Sequence, residues 1–304
     1  MNQTTRRDLL KVLGATTVLS NVPAIGQEAA FKLRYMLASS MYGRTDLVEI
    51  LPEVKRTGSE SIDIWPMGHA NQREQIEELG HDKFRAMMEK HSVKLGMTTR
   101  YDLGPYRLQQ EMQFVKSFGG HQIVCGAKSA GGNTLKEKVS NFVSSLSEHV
   151  KVAEKLGVTI GIENHAGSLI STPDSIRYFC DLSPSKYLGI ALAPYHLPQD
   201  PQLLSQLIEH AGDRLVHFYA WQHGMGCHKP MPKPLELLQL PGQGVLDFGP
   251  AAKALAKIKY DRHVEIFMHP TPRGIPIVDG TEDVGNMINQ SIEYMSRAIS
   301  RSGV

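Results

Sequence analysis

Glu163, Asn164 and His165 come directly after the run Val158-Thr159-Ile160-Gly161-Ile162, so a carboxylate, an amide and an imidazole end what reads as a buried strand. An apolar interior accepts such groups only when they have partners. In α/β enzymes the ligand sits beyond the carboxyl ends of parallel strands, which makes a polar strand tip a natural place for chemistry. The corresponding tips elsewhere supply His69, then Arg100, Tyr101 and Asp102, then Lys128, Tyr195 and His196, His223, and finally His269 and Arg273. Five of the thirteen histidines (His69, His165, His196, His223 and His269) therefore gather at one mouth. A single loop histidine is more often a surface or capping group. Five converging beside a carboxylate suit metal ligation or acid/base work. Arg273 suits an anionic group or a neighbouring acid. Trp65 and Trp221 either floor a sugar site or pack the rim.

The elements that must position these residues alternate along the chain. Strands are expected over residues 31–37, 61–65, 93–98, 122–126, 158–162, 188–192, 215–221 and 263–268. Helices are expected over 45–56, 71–79, 83–90, 106–118 and 134–156, from 173 with Thr172 as its cap, and over 202–211, 249–257 with Asp247 as its cap, and 282–301. Such alternation implies a parallel sheet. Eight units closing on themselves give a single-domain (β/α)8 TIM barrel, for which about 250 residues is typical. A doubly wound open sheet is the competing layout, but the turn at 38–43 lacks a glycine-rich phosphate fingerprint. One connection, 222–244, is long and holds His223, Cys227 and His228; loops of that length are usually functional or mobile.

The first 26 residues read as a leader rather than as part of the barrel, which then occupies 27–304. Arg6 and Arg7 precede an apolar run over 12–22, and Ala24-Ile25-Gly26 offers a small-residue cleavage site. That order fits a twin-arginine export signal, so a periplasmic or otherwise exported protein is expected. No stretch reaches the ~20 apolar residues of a membrane span, so stable membrane insertion is not expected. The formal net charge is +2, and it falls to 0 if Arg6, Arg7, Asp8 and Lys11 leave with the leader. A balanced charge gives no electrostatic case for nucleic acid. Three widely spaced cysteines imply no disulfide framework.

Over roughly residues 31–301 the chain resembles the xylose isomerase-like barrels of the sugar phosphate isomerase/epimerase type. The segments that carry the likeness are 160–165, 188–196, 215–219 and 260–270. The resemblance implies one divalent metal held by a glutamate ending strand five, an aspartate on strand six, a histidine on strand seven and a glutamate on strand eight. Glu163 matches the first. The other three positions fall on Ala193, Tyr219 and Phe267, with His217 and Glu265 each two residues earlier on their strands. An alanine or a phenylalanine cannot hold a hard divalent ion. Either the metal is gone, or the site is rebuilt from Glu163, His196, His223 and His269, with His217 and Glu265 in reserve, a set suited to zinc, iron, nickel, copper or manganese.

The expected activity is that of a sugar isomerase or epimerase acting on a non-phosphorylated sugar or keto-sugar, by proton abstraction next to a carbonyl. Elimination or hydrolysis of a keto-sugar would use the same site. Glu163 and His196 are the catalytic candidates. Trp65, His69, Arg100, Asn164, His165, Tyr219, Trp221 and Arg273 are expected to contact a small carbohydrate. The alternative is a degenerate barrel that binds carbohydrate without turnover. An endonuclease shares the barrel but needs a basic groove, which the charge balance does not supply.

Overall fold

In the computed structural model, residues 31–223 and 232–301 are described. The expected leader over residues 1–26 and the residues Cys227 and His228 lie outside them. Eight parallel strands close into a barrel in sequence order, with β8 pairing back onto β1. They are β1 (Arg34–Ala38), β2 (Ser61–Ile64), β3 (Leu95–Thr99), β4 (Gln122–Gly126), β5 (Thr159–Glu163), β6 (Leu188–Leu192), β7 (Leu215–Ala220) and β8 (His263–Ile266). The open-sheet alternative is excluded by that closure. Strands covered on both faces read as nearly continuous apolar runs, and here β5, β6 and β7 are buried throughout. Gly189 in β6 is required by close approach: a Cβ there would lie 2.4 Å from the Arg214 carbonyl oxygen.

The helices around the barrel are α1 (Leu47–Arg56), α2 (Gln72–Leu79), α3 (His81–His91), α4 (Gln109–Ser117), α5 (Leu135–Ser145), α6 (Ser147–Leu156), α7 (Pro173–Leu182), α8 (Pro201–Ala211), the single turn α9 (Lys233–Glu236), α10 (Gly249–Lys257) and α11 (Thr281–Arg301). The helix expected over 134–156 is two helices. The Ser145 hydroxyl donates to the Phe142 carbonyl, and the Leu146 N–H bonds three residues back to Val143, which tightens the turn and breaks the axis. The helix expected from 106 starts at 109, after a turn containing Gly104 and Pro105. Thr172 caps α7 as expected, in a reciprocal pair with Ser175. Asp247, the expected cap of α10, stands one residue before the observed cap, Phe248, and accepts from the Gly249 N–H at 2.8 Å.

No helix among the described residues is long and apolar enough to cross a membrane. Outside the barrel mouth, one buried ion network ties two helices to the β3 tip. Glu111 on α4 accepts from Arg73 on α2 at 3.1 Å and from Arg100 after β3, while Arg100 also pairs with Asp102 at 2.8 Å. Arg73 lies 3.8 Å over the Phe114 ring. Removing one partner of a buried pair strands the others, so Glu111→Ala should cost about 3 kcal/mol in chemical denaturation. Asp102→Ala, at the exposed end, should cost less than about 1 kcal/mol.

Candidate active site

The C-terminal ends of the strands converge on Glu163, whose side chain is 4 % exposed. His196, carried by the turn after β6, places Nε2 3.6 Å from Glu163 Oε1 and is itself 1 % exposed. The His165 ring lies against His196 with centroids 4.1 Å apart, and its Nδ1 is 2.8 Å from the Ala166 carbonyl. Across the mouth, His69 and His269 form a second imidazole pair with centroids 4.4 Å apart. Trp65 contacts both members of that pair, while Trp221 contacts His196 and His269. Seven sequence-designated residues thus share the mouth: Glu163, His69, His165, His196, His269, Trp65 and Trp221.

The remaining expectations are placed otherwise. Asn164 is a staple: its Nδ2 donates to the Ala193 carbonyl at 3.0 Å and its Oδ1 accepts the Ala193 N–H at 2.7 Å. It joins the ends of β5 and β6 and has little left to offer a substrate. Arg100 is committed to Glu111 and Asp102, which corrects its expected role as a sugar contact. Trp65 and Trp221 are buried, one stacked on Phe267 and the other on Tyr195, so packing rather than an open sugar floor describes their present state. Tyr219 is buried at the barrel centre, where desolvation and then the charges of Glu163, Glu265 and Asp63 hold its phenol well above the usual range. Arg273 stands exposed on the loop after β8.

Two features escaped the sequence reading. Gln239 locks the mouth: its Oε1 accepts the Trp221 indole N–H at 2.9 Å, and its Nε2 donates to the His269 carbonyl at 2.9 Å. Nothing in a long polar loop marks one glutamine for that role. The second is Asp63, beneath the mouth, which accepts from Thr99 at 2.7 Å; Glu265 and His217, the expected reserve ligands, pair with each other at 3.0 Å. An acid inside the apolar run Ser61-Ile62-Asp63-Ile64-Trp65 was the available signal for Asp63.

Burial controls the charge state of the mouth. Desolvation pushes the Glu163 carboxyl up to about 8, and the positive fields of His165 and then Arg273 offset only part of that. Asp63 is pushed up to about 8 by the same cause, and Glu265 is raised well above the usual range by burial and the neighbouring Asp63 and Glu163. The imidazoles move the other way. Burial and then the Arg273 charge take His69 down to about 3; His165 and His269 are lowered chiefly by burial. The result is a set of neutral imidazoles around a carboxyl that changes charge near neutrality.

The residues at the family's metal positions do not fit a divalent ion. Ala193 offers no side-chain donor and its backbone is held by Asn164, while Phe267 stacks on Trp65 at 5.2 Å. The rebuilt set is corrected as well. His223 packs on Tyr195 with centroids 5.0 Å apart, its Nδ1 3.3 Å from the Tyr195 carbonyl, and Tyr195 in turn stacks on Trp221 at 4.0 Å. Aromatic rings fill the space in which Glu163, His196, His223 and His269 would have to meet. Among the described residues no group of three or more His, Cys, Asp or Glu side chains can hold a metal ion.

A closed (β/α)8 barrel with its polar residues at the carboxyl ends of the strands defines the class. The chain belongs to the xylose isomerase-like TIM barrel family, whose model matches residues 51–295. It is 30 % identical over 139 residues to an uncharacterized protein of Methanocaldococcus jannaschii, a match spanning 44 % of this chain and 45 % of that relative. This chain thus matches under half the length of that curated relative. Among solved structures, IolI "with a binding zinc atom" is similar at TM-score 0.68 and 16 % identity, covering 87 % of this chain and 99 % of that one. The Escherichia coli 3-keto-D-glucoside 4-epimerase YcjR is similar at 0.64 and 14 %, covering 88 % and 100 %. An L-ribulose 3-epimerase is similar at 0.64 and 12 %, covering 90 % and 96 %. At these identities the likeness carries the fold alone.

The raised Glu163 carboxyl has a measurable cost. Its folded-state value of about 8 lies above the ordinary 4.5, so stability from this group is full below 4.5 and is lost as pH rises toward 8. Glu163→Gln removes the titration but keeps the shape. Thermal melts should show the variant gaining about 5 °C or more on wild type between pH 5 and pH 8.5. Parallel curves would mean that Glu163 is not held in a dry site.

Proposed function

We propose that this barrel is a sugar isomerase or epimerase-type enzyme that moves a proton beside the carbonyl of a non-phosphorylated keto-sugar or related derivative. The observation that carries the reading is the buried Glu163–His196 pair, 3.6 Å apart at adjoining strand tips. Family membership supports the class, as do the epimerases among its structural neighbours. The leader, if it directs twin-arginine export, favours a free sugar over a cytosolic sugar phosphate as substrate.

In its ionised form Glu163 takes the proton from the carbon next to the carbonyl. The C–H electron pair becomes the C=C bond of an enediol(ate), and the carbonyl oxygen gains the displaced pair. Return of the proton to the neighbouring carbon gives the isomer; return to the same carbon from the opposite face gives the epimer. His196, next to the carboxyl, is placed to take or return a hydroxyl proton. His69, His165 and His269 are held neutral, so they serve as hydrogen-bonding groups for sugar hydroxyls rather than as fixed charges. None of these steps uses a metal, because the described donor set does not fit one.

A second reading is favoured by Ala193, Tyr219 and Phe267 at the family's ligand positions: a barrel that binds carbohydrate without turning it over. Incubation with a panel of keto-sugars in D2O, followed by NMR, separates the two. The enzyme exchanges the proton next to the carbonyl, and Glu163→Gln and His196→Asn each reduce that exchange about 100-fold or more. The rate should rise with pH through about 8, since the basic form of Glu163 fills in above that value. Saturable sugar binding with no exchange at any pH would establish the binder instead.

A further inference from the structure

The side chains of Glu163 and His196 are 4 % and 1 % exposed. Proton abstraction needs a substrate carbon within reach of the carboxyl, so substrate enters only if part of the surrounding wall moves. Trp221 is the central piece of that wall. Its ring centroid lies 5.1 Å from that of His196 and 5.1 Å from that of Phe267, and it stacks on Tyr195 at 4.0 Å. The indole is held in place from residues 233–246, the strap formed by α9 and the turns after it, through its Nε1–H bond to Gln239.

Three buried polar side chains fasten this strap. Gln239 Oε1 accepts both the Trp221 indole N–H and the His269 N–H, and its Nε2 donates to the His269 carbonyl. The Gln222 N–H donates to the Gln239 carbonyl at 2.9 Å, and Gln222 Oε1 accepts the Leu246 N–H at 2.9 Å. Glu236 accepts the Thr271 N–H at 3.0 Å. Apolar anchoring is thin: Leu240 and Leu246 are buried, but Leu235, Leu238 and Val245 stand exposed. A segment held by polar bonds and few buried apolar contacts opens locally at lower cost than one packed into the core. The neighbouring loop after β8 is fastened differently, by backbone bonds from Arg44 to Gly274 and from Ile277 to Met41, and by the bridge between Tyr42 and Pro276. The seat of the strap also depends on Gly244, where a Cβ would lie 2.3 Å from the Leu238 carbonyl oxygen and 2.4 Å from Gln222 Oε1.

We propose that residues 233–246 are a gate over the mouth, latched by Gln239, whose release lets Trp221 leave His196 and admits substrate to the Glu163–His196 pair. The proposal rests on the proton-transfer reading given above and adds how that site is reached. Closing such a segment over bound substrate keeps the reaction away from water. The latch suits this use, because the same glutamine holds the indole and the His269 backbone, so one side chain releases both sides of the mouth.

Two measurements on the full chain test this without any sugar: native hydrogen exchange followed at single amides by NMR, and carbethoxylation of histidines by diethyl pyrocarbonate mapped by mass spectrometry. In wild type the Gln222 and Leu246 amides, both bonded to the strap or from it, should exchange about 100-fold or more faster than those of Ile162 and Ile190 in the barrel. His196 should react at least about 10-fold more slowly than the exposed His81. Gln239→Ala and Gly244→Ala should each raise Leu246 exchange and His196 reaction together, by about 10-fold, and leave Ile162, Ile190 and His81 unchanged. Strap amides as protected as Ile162 in wild type would mean that the strap opens only with the whole barrel, which overturns the proposal. His196 reacting as fast as His81 in wild type overturns it too, since the mouth is then already open. Faster strap exchange in both variants with no gain at His196 also overturns it, because the entrance then lies elsewhere. A variant in which Ile162 exchanges faster has lost the barrel, and the wild-type comparison and the other variant then decide. The proton-transfer reading stands or falls separately, on the exchange of keto-sugars in D2O.

Discussion

The carboxyl of Glu163 is kept out of water at the tip of β5, and much of the surrounding structure follows from that burial. Ionising it in place is costly, so it holds its proton to about pH 8. The Arg273 charge offsets only part of this, and burial keeps the imidazoles of His69, His165 and His269 neutral. Two of those imidazoles, His69 and His269, face each other at 4.4 Å, a spacing that two cations would not tolerate. The walls behind them are indole and phenyl rings, which exclude water and offer no competing charge.

A second layer of interactions fixes these side chains. The Asn164 amide ties the ends of β5 and β6, and Gln239 holds both Trp221 and the backbone of His269. The ion network on Glu111 steadies the β3 tip and uses up Arg100. Site chemistry therefore depends on groups that never face a substrate. Ala193 illustrates the trade. Where the family places a metal-binding carboxylate, this chain has a methyl group and a backbone fully bonded to its neighbour's amide.

The departure at Ala193, Tyr219 and Phe267 changes what the barrel can do. Phe267 and Trp65 stack where an ion would need oxygen or nitrogen donors. In the function proposed above, the remaining polar groups transfer a proton through Glu163 and His196, with hydroxyl recognition by neutral imidazoles. Among the described residues the histidines form no replacement metal centre: Tyr195 and Trp221 pack at 4.0 Å, and His223 lies against Tyr195.

The sequence alone determined the architecture and the location of the site. Eight apolar runs alternating with amphipathic segments leave a parallel barrel as the arrangement that buries both faces of each strand, and the polar residues ending those runs must then share one rim. Glu163 was legible because it closes an apolar strand, and His196 because it stands in the turn just after one. Tertiary structure decided which rim residues meet, since that depends on side-chain direction and on contacts between elements far apart in the chain. Asn164, Arg100 and His223 look like ligands in one dimension. In three, Asn164 is bonded to Ala193, Arg100 to Glu111 and Asp102, and His223 packs against Tyr195.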